Sequence, residues 1–157
     1  MEKCPLPKNK SDIEVAKQLL EFNGFVSDKE YKQLVIWLRD VNWPVFRFVA
    51  PFLASRGVDA NNGLWYALKS NNGTWKKNVV QYVLSQWPKS DLKESIAWLP
   101  NYVTDPDIFG PDLATIEILI GSDMVELSWL EGWLNFKKKK LAGKLSEVEV
   151  LLEKVKC

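Results

Sequence analysis

The segment TDPDIFGPD, residues 104–112, sets Asp105, Asp107 and Asp112 close together in the chain. Carboxylate oxygens at such spacing suit calcium or magnesium. The stretch lacks the turn glycine and closing glutamate of an EF-hand loop, and Pro106 and Pro111 explain it more simply as a stiff connection. No metal is expected there. The sequence contains no histidine, so the commonest general base and the commonest metal ligand are both missing. Any catalysis would have to run on carboxylates, Lys or Tyr alone. The expectation is therefore a protein that is not an enzyme and takes no cofactor. Cys4 and Cys157 show no CxxC spacing and read as incidental thiols in a reducing cytoplasm rather than as a disulfide.

A second chemistry lies in the charge pattern. From Glu94 to Phe136 there is no Lys or Arg, while Glu94, Asp105, Asp107, Asp112, Glu117, Asp123, Glu126 and Glu131 are all acidic. Residues 1–93 and 137–157 both carry a basic excess, so a net charge of +1 hides an acidic stretch between two basic ones. Carboxylates sharing one face would attract a basic partner and speed its encounter. Against this, Asp112 and Asp123 lie where helices should begin, and the helix dipole alone would favour them there. The run FKKKKLAGK at 136–144 reads as a solvated segment, and no broad basic face with stacking aromatics suggests nucleic acid.

Eight tryptophans must find a core, a groove or an interface. Trp37, Trp43, Trp75 and Trp87 fall on or beside apolar stripes and are assigned to the core. Trp65 with Tyr66, and Trp129 with Trp133, are harder to bury wholly and are candidates for partner contact.

The elements that position these residues read as helices. Ser11-Asp-Ile-Glu14, Ser27-Asp-Lys-Glu30 and Ser146-Glu-Val-Glu149 are S-x-x-E patterns, the signature of a capping box. Tyr31, Leu34, Val35 and Leu38 follow the i, i+3, i+4, i+7 spacing of a one-sided helix, which should end near Arg39. Asp40 and Asn42 suit the following turn, and Pro44 fits the first turn of the next helix. Val45, Phe46, Phe48, Val49, Phe52 and Leu53 spread round that helix. Pro51 should bend it and Gly57 should end it. A weaker copy follows, with Leu64, Ala67 and Leu68 before the SNNGTWKK turn and Trp75, Val79, Tyr82, Val83 and Trp87 after it. Trp43 and Trp75 stand 32 residues apart, close to helical-repeat periods of about 33–47 residues. Two more helices are expected near 91–99 and 111–120.

Farther on, Val125, Leu127 and Trp129 alternate ahead of Glu131-Gly132, which favours a small hairpin or an irregular segment over 122–136. A helix at 147–156 closes the pattern. The expectation is one all-α domain over 1–157, a short α-solenoid of antiparallel helix pairs at 6–121 with an addition at 122–157. The first residues lack the apolar core of a signal peptide, and no run approaches the ~18 apolar residues of a membrane span.

Three stretches together resemble a bacterial helical family, domain of unknown function 5071: LPKNKSDIEVAKQL at 6–19, WLRDVNWPVFRFVAPFL at 37–53, and the Trp75-Lys76 pair after its polar turn. The likeness spans about residues 6–121 and implies HEAT-type helical hairpins. On that pattern Asp40 and Arg47 would be the turn Asp and helix Arg that stack between repeats, with Asn42, Trp43, Pro44 and Trp75 as the rest of the motif. The second copy departs from it with Asn71, Asn72 and Lys77. The family brings no established activity.

The resulting functional expectation is a cytoplasmic protein-binding module. The sharper form is an immunity-type inhibitor that covers the active site or substrate access of a cognate bacterial toxin with a basic surface. Its contact residues would be Asp105, Asp107, Asp112, Glu117, Asp123, Glu126, Glu131, Trp65, Tyr66, Trp129 and Trp133. The rival is a scaffold or adaptor that recognises a peptide or helix on a concave face. Neither nucleic acid nor membrane is expected as partner, and the sequence leaves the oligomeric state open.

Overall fold

The computed structural model describes residues 3–95 and 111–156, and every regular element among them is helical. These are α1 (Ile13–Gln18), α2 (Asp28–Val35), α3 (Phe46–Ser55), α4 (Asn61–Leu68), α5 (Gly73–Tyr82), α6 (Lys89–Ser95), α7 (Pro111–Ile120) and α8 (Leu127–Lys156). Short 3-10 turns follow α1 at Leu19–Glu21, α2 at Ile36–Arg39 and α5 at Leu84–Gln86, and another precedes α4 at Gly57–Ala60. The all-α expectation therefore holds among the described residues. Residues 96–99, expected to extend α6, lie outside them. None of the helices among the described residues is long and apolar enough to cross a membrane. The chain divides into two compact units, Met1–Met124 and Val125–Cys157.

Of the three S-x-x-E patterns only one is built as a capping box. The Ser27 hydroxyl accepts from the Glu30 N–H, and the Glu30 carboxylate accepts from the Ser27 N–H at 2.8 Å. At Ser11 the helix starts one residue later. Asp12 occupies the cap position without a side-chain cap, its carboxylate instead accepting from the Lys8 N–H at 2.9 Å, and Glu14 pairs with Lys17. Ser146 is inside α8, so no helix begins there. A capping pattern marks a start only where the preceding chain leaves the helix, and KKKKLAGKL does not leave it.

The turn between α2 and α3 is made by Asp40. Its carboxylate accepts from both the backbone and side-chain nitrogens of Asn42, at 2.9 and 3.0 Å, while its carbonyl accepts from the Trp43 N–H. Pro44 sits in this turn rather than in the first turn of α3, which starts at Phe46. The Phe46 N–H closes on the Trp43 carbonyl and the Val45 N–H on the Lys10 carbonyl, so the helix entrance is tied to the N-terminal segment. α3 continues through Pro51, which lies on its exposed side. The Arg47 carbonyl, deprived of its usual partner by the proline ring, is then on the side that water reaches. Gly57 ends α3 in the left-handed region at φ +53°, as its position after the last apolar residue suggested.

The core of the first unit joins Leu19, Tyr31, Leu34, Val35, Leu38, Val49, Leu53, Leu64, Leu68, Val79, Val80 and Leu84, all essentially buried. α2 packs most extensively on α4, and α5 on α7, with α4 also against α5. Gly63 makes the first of these crossings possible. A β-carbon there would lie 2.6 Å from the Tyr31 Cβ and 2.9 Å from its carbonyl carbon.

The expected hairpin at 122–136 is not formed. Among the described residues there is no strand, and α8 runs from Leu127 across Gly132 and Gly143. The alternation of Val125, Leu127 and Trp129 loses to a competing helical spacing. Trp129, Trp133 and Phe136 make successive edge-to-face contacts, with centroids 6.2 and 5.3 Å apart, and good helix formers follow.

Candidate protein-binding surface

The end of α2 leaves carbonyls without intrahelical partners. Two residues of α5 supply them. The Trp75 indole N–H donates to the Val35 carbonyl at 2.8 Å, and the Asn78 amide donates to the Leu38 carbonyl at 2.8 Å. Their i, i+3 spacing places both on one face of α5. Asn72 starts that helix, its side chain accepting from the Trp75 N–H at 2.9 Å. The Arg39 guanidinium lies 4.4 Å from the centre of the Trp75 ring, and Tyr66 meets the same ring edge-on at 5.8 Å. Trp75 is thus fixed on several sides and Tyr66 is held against it, while Tyr66 itself stays 48 % exposed.

Beside it on α4, Trp65 is half-buried, with the Lys69 ammonium 4.8 Å from its ring centre. Tyr66 and Arg39, both on the Trp75 ring, therefore form an aromatic ridge edged by a cation, and Trp65 with Lys69 makes a second aromatic–cation pair on α4. A separate apolar groove of about 560 Å³ runs between α3 and α5, lined by Phe46, Arg47, Ala50, Pro51, Ala54 and Tyr82, among others. The Tyr82 ring stands edge-on to Phe46 at 5.1 Å. Ala50 lies at the buried floor of this groove, and Ala54, one turn on, is the half-buried residue that an incoming group can reach.

The acidic residues expected to share a face fare differently from one another. Asp105 and Asp107 lie outside the described residues. Asp112 is buried, 2 % exposed, as the second residue of α7, and its carboxylate accepts from the Leu113 N–H at 2.9 Å. It cannot face a partner, because α7 is apolar on most sides and packs its N-terminal turn inward beside the fully buried Thr115. Glu117 on α7 and Asp123 after it are exposed, Asp123 in a left-handed turn (φ 55°) rather than at a helix start. In the second unit Glu126 and Glu131 are exposed, Trp129 is 37 % exposed and Trp133 is half-buried. Among the described residues no group of three or more Cys, Asp and Glu is placed to hold a metal.

The other motif residues also need correction. Asp40 bonds Asn42, while the Arg47 guanidinium lies over the Phe48 ring at 4.9 Å, so these two do not build a ladder between repeats. Trp75 and Trp87 are core, as expected. Trp37 and Trp43 are only half-buried and meet edge-on at 5.9 Å. Sequence reasoning missed Arg39 and Asn78; the Trp75-x-x-Asn78 spacing after a capping Asn was the available signal.

Arg56 donates to the Tyr31 hydroxyl at 3.1 Å and to the Gly24 carbonyl at 2.8 Å. Burial raises the Tyr31 pKa. Cys4 is a free, buried thiol pushed up to about 11, first by burial and then by the nearby Glu30 carboxylate. Such a thiol is a packing group, not a nucleophile.

The family model for the domain of unknown function DUF5071 matches residues 5–107. The chain belongs to this family. The DUF5071 match takes in both carbonyl-capping residues, the aromatic ridge and the α3–α5 groove, and it stops short of α7 and α8. No curated protein and no solved structure matches the chain significantly.

Proposed function

We propose that this DUF5071 chain is a protein-binding module. The observation that carries the reading is the ridge at Tyr66: an exposed aromatic held in place before any partner arrives, by Trp75 and the Arg39 guanidinium above it. Aromatic anchors fixed in advance lose little entropy on binding, and they dominate interface energetics. The stacking of α2 on α4 and of α5 on α7, each on its second neighbour along the chain, is how helices stack in a HEAT-like solenoid. It supports reading the first unit as one.

The sharper reading is an immunity-type inhibitor, in the bacterial cytoplasm, that covers the basic active site or substrate access of a cognate toxin. Glu117, Asp123, Glu126 and Glu131 support it, since they project into solvent within a stretch that has no Lys or Arg. On this reading the chain is neither an enzyme nor a cofactor carrier. The groove between α3 and α5 favours a second reading, an adaptor that seats a peptide or helix against Ala54 and Tyr82.

Co-expression with the product of the adjacent gene separates the two. Restored growth by the wild-type chain, lost on Tyr66→Ala combined with Glu117→Lys and kept on Ala54→Glu, is the inhibitor result. A neighbouring product that is harmless on its own removes that reading. Binding lost on Ala54→Glu alone, with the thermal transition kept, moves the site to the groove.

A further inference from the structure

The chain contains three Asn–Gly pairs, Asn23-Gly24, Asn62-Gly63 and Asn72-Gly73. In such a pair the glycine nitrogen can attack the asparagine side-chain carbonyl, because no β-carbon hinders its approach and the backbone turns easily. The nitrogen–Cγ bond forms, the Cγ–Nδ2 bond breaks, and the glycine proton leaves with the amide as ammonia. Water then opens the cyclic imide at either carbonyl, giving aspartate or isoaspartate. Ring closure requires the peptide between the paired residues to rotate, so the fold decides which pair reacts. Asn62 is held inside α4: its amide donates to Asp28 at 3.0 Å, and Gly63 is buried against Tyr31. Asn72 is held as the cap of α5. Its side-chain oxygen accepts from the Trp75 N–H at 2.9 Å, its backbone carbonyl accepts from the Lys76 N–H at 3.0 Å, and Gly73 is buried.

Asn23 differs from both. It is exposed, it lies in the connection between the 3-10 turn at Leu19–Glu21 and α2, and its side chain makes one long bond, 3.3 Å to the Glu21 carbonyl. The Gly24 N–H donates to no group among the described residues. We propose that Asn23 is a site of spontaneous deamidation, and that the fold protects Asn62 and Asn72. This goes beyond the protein-binding reading above and does not rest on it. The site also has a structural consequence, because the Gly24 carbonyl accepts from Arg56 at 2.8 Å while Arg56 holds the Tyr31 hydroxyl at 3.1 Å. Isoaspartate routes the main chain through its β-carbon, and the added backbone atom displaces that carbonyl. Phe22 and Val26, buried on either side, leave the connection little room to absorb the change. Isoaspartate at this position therefore loosens the entry to α2, whereas aspartate only adds a surface charge.

Incubation of the full chain at mildly alkaline pH, followed by peptide mapping with mass spectrometry, tests this. In the folded chain Asn23 should convert at least about tenfold faster than Asn62 or Asn72, which react only when their helices open locally. In urea the three pairs should react at similar rates, so the unfolded chain serves as the internal control. The rate at Asn23 should rise with pH, because the attacking nitrogen must lose its proton. As isoaspartate accumulates, the thermal transition of the wild-type chain should fall while that of Asn23→Gln holds, since the longer side chain closes an imide far more slowly. An Asn23 that converts no faster than Asn62 and Asn72 in the folded chain, or at a rate indifferent to pH, overturns the proposal. An equal fall in Asn23→Gln overturns the consequence drawn for Arg56.

Discussion

Gly63→Ala pits two elementary effects of opposite sign against each other. Helix propensity alone says that alanine in α4 should stabilise the chain by up to about 1 kcal/mol. The crossing with α2 says the reverse. The new β-carbon would sit 2.6 Å from the Tyr31 Cβ, 2.9 Å from its carbonyl carbon and 3.1 Å from its carbonyl oxygen. Carbon atoms prefer about 3.5–4.0 Å, so the helices must part by about 1 Å, and a gap of that size forfeits up to about half of each contact's attraction. Backbone atoms cannot swing aside as a side-chain tip can. α2 is also anchored by its capping box, by the Tyr31–Arg56 bond and by the Asn62–Asp28 bond at 3.0 Å, so it resists moving. Overpacking of this kind costs about 1–3 kcal/mol. Subtracting the propensity gain leaves up to about 2 kcal/mol of destabilisation, or up to about 8 °C in Tm for a chain of this size. Calorimetry and urea titration followed by circular dichroism measure it, with Gly132→Ala and Gly143→Ala as controls. Nothing lies within 4 Å of a β-carbon at either control position, so neither should lower the transition. A Gly63→Ala chain stabilised by the full propensity gain of about 1 kcal/mol would refute the close crossing, and with it the account of how α4 is positioned.

Two further perturbations follow from the same packing. Asn78→Ala removes the side-chain donor to the Leu38 carbonyl in a buried place, so urea unfolding should show a loss of about 1–3 kcal/mol; a change within experimental error would mean that water replaces the amide freely. The Glu30 carboxyl titrates below its ordinary value because the Ser27 N–H, and then the Ser27 hydroxyl, donate to it. A depressed carboxylate pKa adds stability above the unfolded value of 4.5 and loses it as pH falls through the folded value, so the stability gap between wild type and Glu30→Gln should narrow in acid below about pH 4.5. A gap independent of pH would show that the charge contributes nothing to the cap.

Helix content was legible because it rests on local signals. Ser27, Asn72 and Gly57 fix helix boundaries through bonds and dihedrals that involve only their immediate neighbours. The failures share a cause as well. Ser146-to-Glu149 has the same letters as Ser27-to-Glu30, and a pattern of four residues does not record whether the chain ahead of it is already helical. The strand-like alternation before Gly132 lost to aromatic contacts at helical spacing, an outcome set by which competing period has more partners. Asp112 shows the limit for the site. Charge counted along a sequence says nothing about facing, and α7 turns this carboxylate inward while Glu117 on the same helix points to water.

That division separates the side chains that hold the first unit together from those it displays. Trp75 bonds the end of α2 with its ring nitrogen and meets Tyr66 in an edge-to-face contact, so one side chain both closes the core and supports an exposed ring. A lesion at Trp75 would therefore confound folding with binding, whereas Tyr66 touches only the outward part of the arrangement. Arg39 lies between these cases: its cation covers the Trp75 ring, yet its side chain is exposed and bonds no buried carbonyl. Tyr66 and Arg39 can thus be exchanged while Trp75 and Asn78 keep α5 docked on α2, so the proposed binding role can be probed at Tyr66 without disturbing the core.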